Sequence, residues 1–117
     1  MWMNTEIVAL TTDRQTYFTP WFPKGADNGV FAAEVLLNTL DRGDPLFISV
    51  ATKNLEDEGS APYWAGDLEQ LGSSAIFEAK CTELKQLVRL AITFQASSVG
   101  QGIVLRALPP TWFDTAV

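Results

Sequence analysis

A mainly β domain is the fold class this chain predicts. Short apolar runs alternate with period two, the mark of strands that bury one face. Gly, Pro, Asn and Asp separate the runs at short intervals and supply turns. The architecture expected is an antiparallel β-sandwich or jelly roll of about seven or eight short strands. The 117 residues make one domain, 1–117, with no linker, repeat or low-complexity tract.

Residues 5–11 read as the first strand, and Thr12-Asp13 as a turn. Residues 16–22 are β-prone, but Pro20 lacks an amide hydrogen. That makes the piece an edge strand, a bulge or two short fragments. Pro23 to Gly29 is a turn cluster, in which Asn28-Gly29 is a strong hairpin or turn signal. Residues 30–38 fit either a strand or a helical stripe, and Asp41 to Pro45 breaks the chain. Residues 46–53 form the best strand, with Leu46, Ile48 and Val50 on one face. Asn54 to Ala65 reads as a surface loop ending in an aromatic anchor, Tyr63-Trp64.

Residues 74–91 support two readings. Phe77, Cys81, Leu84, Val88 and Ala91 fit a helix stripe, which gives an α+β alternative for the fold. The competitor is a strand over 74–81, a short turn at Thr82 to Gln86, and a strand over 87–95. Ala96 to Gly102 is a flexible loop, and Ile103 to Leu108 is a last strand, stopped by Pro109-Pro110. The glycines read as dispersed turn residues.

Composition narrows the functional classes. The chain carries 14 acidic and 8 scattered basic residues, a formal charge of -6. Such a surface repels nucleic-acid backbone and gains nothing at an anionic membrane, so neither partner is expected. The N-terminus lacks a basic region and an apolar core, so no secretory signal is expected. Cytoplasmic residence follows as the expectation. Histidine is absent, and Cys81 stands alone as a small buried hydrophobe rather than a nucleophile. No catalytic residues, metal or cofactor are expected, and the chain reads as no enzyme. Glu34 with Glu78 is the pair that glycoside hydrolysis would need, but nothing in the sequence places the two acids in a cleft. Glu56-Asp57-Glu58 reads as a solvated loop, since three consecutive acids rarely converge on one cation. Asp41 and Asp44 around Arg42-Gly43 shape a turn before Pro45, and the Arg-Gly-Asp match is a chance tripeptide.

The order of segments carries a resemblance. Trp21 precedes Gly25-Ala26; the central strand Leu46 to Thr52 runs into Lys53 to Asp57. Leu84 to Arg89 and the closing Leu105 to Pro109 follow. Together these resemble small β-sandwich or jelly-roll structural proteins of tailed phages and related particles. The resemblance implies a part in building or decorating a repeating assembly, and a virion or phage-like particle as its final location. It supplies no catalytic residues.

Four tryptophans in a chain this size suit either core packing or contact surfaces. Trp2, Tyr63, Trp64, Trp112 and Phe113 are the interface candidates. The apolar ends, Met1 to Met3 and Ala116-Val117, suit cover by the fold or a neighbouring subunit. The leading expectation is therefore a non-enzymatic assembly protein that self-associates, as a trimer or higher ring. The alternative is a carbohydrate-binding module built on Trp64 with Asp67 and Glu69.

Overall fold

The computed structural model describes residues 4–56, 63–72 and 74–114. Among these it is all β, with nine strands and no helix. They are β1 (Asn4–Val8), β2 (Gln15–Phe18), β3 (Phe22–Pro23), β4 (Asn28–Asn38), β5 (Leu46–Lys53), β6 (Tyr63–Gln70), β7 (Ile76–Cys81), β8 (Leu87–Phe94) and β9 (Gly102–Phe113). All pairings are antiparallel, in the order β1-β9-β4-β7-β6-β5-β8-β2, with β3 also on β8. The expected mainly β class takes the form of one continuous sheet curled into a nearly closed barrel.

Its interior is hydrocarbon. Inward positions follow the strand alternation: Ile48 and Val50 of β5, Val88, Leu90, Ile92 and Phe94 of β8, Ile103 and Leu105 of β9, and Phe31 of β4 are all buried. Each such side chain contributes about 1.5–3 kcal/mol by leaving water. Residues 46–53 are a strand with the bounds expected. Pro20 divides its segment into two fragments, β2 and β3, both on β8. At the break, Leu90 N–H donates to the Thr19 hydroxyl at 2.9 Å, so a side chain replaces the missing ladder bond.

The 74–91 segment is strand–link–strand, which removes the helix alternative. In the sheet β7 and β8 are separated by β6 and β5, so residues 82–86 form no hairpin. Five residues suffice because the curled sheet brings the two strands together across the barrel end. Long-range bonds hold the link: Leu84 N–H donates to Asp27 O, Lys24 N–H to Gln86 O, and Lys85 N–H to the buried Thr52 hydroxyl. Thr52 Oγ in turn donates to Leu87 O at 2.8 Å.

Four other expectations are corrected. Asn28-Gly29 opens β4 instead of making a turn, because the buried Asn28 amide ties the link to the C-terminal end. It accepts from Glu83 N–H and donates to Asp114 O. Pro109-Pro110 does not stop β9, which continues to Phe113. The two prolines sit at a bulge, together opposite Phe31, beyond the part of β9 that β1 covers. Residues 63–65, expected as the end of the loop, instead open strand β6. Several glycines also lie within strands rather than turns. At Gly102 a Cβ would sit 2.1 Å from Ile7 O, so only glycine lets β1 approach β9.

Candidate functional site

The outer surface of β2-β8-β5-β6 gathers most of the chemistry. Register places Trp64, Ala51 and Arg89 in one outward row. Asp67, Ser49, Ala91 and Phe18 form the next. Ala51 and Ala91 point outward, yet they are 0% and 1% exposed. Larger neighbours cover them. The Arg89 guanidinium lies 4.0 Å from the Phe18 ring centroid and 4.3 Å from that of Trp21. Lys53 Nζ sits 4.8 Å from the Trp21 ring, and Arg14 lies 5.9 Å from Phe47. Stacked cations and rings thus roof the sheet where small residues leave room. Arg89 Nε is buried without a hydrogen-bond acceptor, and burial lowers the Arg89 pKa from its ordinary value.

The alternative ligand set is brought to one face by an irregularity. A bulge between Val50 and Ala51 leaves Ala65 as the extra residue, so Trp64 and Asp67 both point outward. Without it an even and an odd position would oppose each other. Glu69 follows on the same face. Ser49 Oγ donates to Asp67 at 2.7 Å, while Glu69 is paired directly with Glu78 of β7. Trp64 is 51% exposed and Phe47, outward on the neighbouring β5, 53%.

The other candidates fall elsewhere. Tyr63 is exposed with Lys85 Nζ 5.1 Å from its ring, and Phe113 is half-buried with Lys80 5.2 Å from its ring. Trp112 packs inward as an edge-to-face partner of Phe31, at 5.6 Å between centroids. Its indole rests on Gly25, where a Cβ would come within 2.6 Å of the ring. Trp112 is thus a core-edge residue in the single chain. Trp2, Asp57, Glu58 and the apolar ends at 1–3 and 115–117 lie outside the described residues.

Glu34 and Glu78 both lie on the open outer face of the β4-β7 pair, and Glu34 bonds Arg106. Asp44 holds its turn: its carboxylate accepts from Asp41 N–H and from Ser97 Oγ. Cys81 is buried inside, its pKa pushed up to about 11 by burial and then by the Asp67 charge. It stays a thiol at neutral pH. Among the described residues no group of three Cys, Asp or Glu is arranged to hold a metal ion. No helix there is long and apolar enough to cross a membrane. The cation–aromatic roof escaped sequence reasoning, since Arg89 lies far along the chain from Phe18 and Trp21. The alternation around Arg89 was the one available signal, as it set that residue outward on a strand. Comparison with known proteins finds no matching family model, no matching curated protein and no matching solved structure.

Proposed function

We propose that this domain is a non-enzymatic assembly protein that forms symmetric oligomers through its outer β surface. One observation carries the reading: aromatic side chains that strand alternation turns away from the core remain open on one face, with Phe47 and Trp64 each more than half exposed. Isolated exposed apolar residues are common, but a group of aromatics on one face marks a contact surface. Subunit packing would bury these rings, and the two edge strands β1 and β2 offer further places to pair. Its role as a component or decoration protein of a phage-like particle rests on the resemblance in segment order, and cytoplasmic residence before assembly on composition. Light scattering over a wide concentration range tests the reading. A defined oligomer supports it; a monomer at every concentration, with no larger particle to dock on, overturns it.

A second reading is favoured by the β5-β6 bulge, which aligns Trp64, Asp67 and Glu69 on one open face. An indole beside two carboxylates matches a sugar's apolar face and hydroxyls. Soluble glycans would then quench tryptophan fluorescence, and a flat response across a broad panel would remove this reading.

A further inference from the structure

The outer face is divided by charge along a line between β5 and β6. Arg14, Lys53 and Arg89 lie on the β2-β8-β5 side, and each cation is stacked on an aromatic ring. Among the described residues none of the three has a carboxylate within ion-pair distance. Asp67 and Glu69 lie on the β6 side, with Glu78 across from Glu69 on β7. Like charges directly opposite in a sheet repel. Two exposed aromatics, Phe47 and Trp64, sit at the boundary.

A face with a cationic half, an acidic half and an apolar seam is complementary to itself after a half turn. We propose that a second copy of this chain docks on this face about a two-fold axis. The Lys53 and Arg89 half of each copy meets the Asp67 and Glu69 half of the other, over a seam formed by Phe47 and Trp64. This rests on the assembly reading and names its contact. Such an isologous contact uses each patch twice. It satisfies both deficits at once: the stacked cations gain carboxylates, and the Glu69–Glu78 repulsion is relieved by an incoming cation. The acidic excess of the chain leaves the acidic half few competing cationic partners outside this face.

Charge reversal tests the pairing. Lys53→Glu sets acid against acid where residue 53 of one copy meets residue 69 of the other, and Glu69→Lys sets base against base there; Arg89 is left in place because it covers Ala51 and Ala91. Mass is measured by light scattering at about 50 mM and about 500 mM salt, with circular dichroism to verify folding. The wild-type chain is expected to pair and to weaken with salt. Each variant alone should lose about tenfold or more in affinity. An equimolar mixture should recover pairing, because the mixed pair restores opposite charges at both contacts. An oligomer indifferent to salt and to both reversals would overturn this contact while leaving assembly standing. Loss in each variant without recovery in the mixture would overturn the two-fold arrangement. A wild-type monomer under all conditions would overturn both.

Discussion

The two faces of β8 are closed in different ways. Its inner face, Val88, Leu90, Ile92 and Phe94, is sealed by hydrocarbon from the opposite wall. On the outer face, Arg89 and the rings of Phe18 and Trp21 roof Ala91 and, on β5, Ala51. The inner seal is non-directional and scales with area removed from water. The outer one needs particular geometry, keeps a charge at the surface, and leaves a buried Nε without an acceptor. Stability belongs to the first face, while the second keeps cations and rings where another molecule can reach them.

Substitutions on the two faces should separate these roles. Phe94→Ala empties the barrel interior and should cost about 3–5 kcal/mol in denaturant unfolding. A cost below about 1 kcal/mol would break the contrast, since it would mean the inner face is not the main seal.

The next effect is a pH dependence, also from the interior. The Cys81 pKa is raised from 9.0 to about 11, so the folded state holds this proton more tightly than the unfolded chain. The stability it contributes is fully present below pH 9 and is lost as pH rises from 9.0 towards 11. The loss should reach roughly 2–3 kcal/mol at about 1.4 kcal/mol per pKa unit. Unfolding curves of the wild type and Cys81→Ala should therefore converge with rising pH, and parallel curves would show that the thiol plays no part.

On the outer face Arg89→Met keeps a long side chain over Ala51 and Ala91 but removes the charge. It should cost about 1 kcal/mol, the scale of a partly exposed cation–π contact. A loss as large as that of Phe94→Ala would show the roof to be a second core. Trp64→Ala should have the smallest effect on stability, within about 0.5 kcal/mol, because half of the ring is already in water. Its effect on self-association should be much larger, and light scattering on the same sample makes that comparison directly.

Local pattern made some of this legible. Alternation defined β5 to the residue, and the missing proline amide divided the segment around Pro20. Where one pattern fitted two periods, neighbours in space decided. Residues 74–91 are two strands because Lys24, Asp27 and Thr52 supply partners that hold the link open. Strand β6 was hidden because Leu68 is its only buried large apolar side chain. Of the candidate site, Trp64, Asp67 and Glu69 were named from sequence, but only the bulge at Ala65 aligns them. Trp112, one of the interface candidates, packs inward in the single chain because two glycines leave space beside Phe31.

The sequence by itself determined the β class, the breaks at Pro20 and 41–45, and the acidic character, since each depends on residues adjacent in the chain. Tertiary structure alone decided the closure of the sheet, the continuation of β9 through two prolines, and the stacking of Arg89 between Phe18 and Trp21. These depend on pairings between residues distant in sequence, whose energy exists only once the chain has closed on itself.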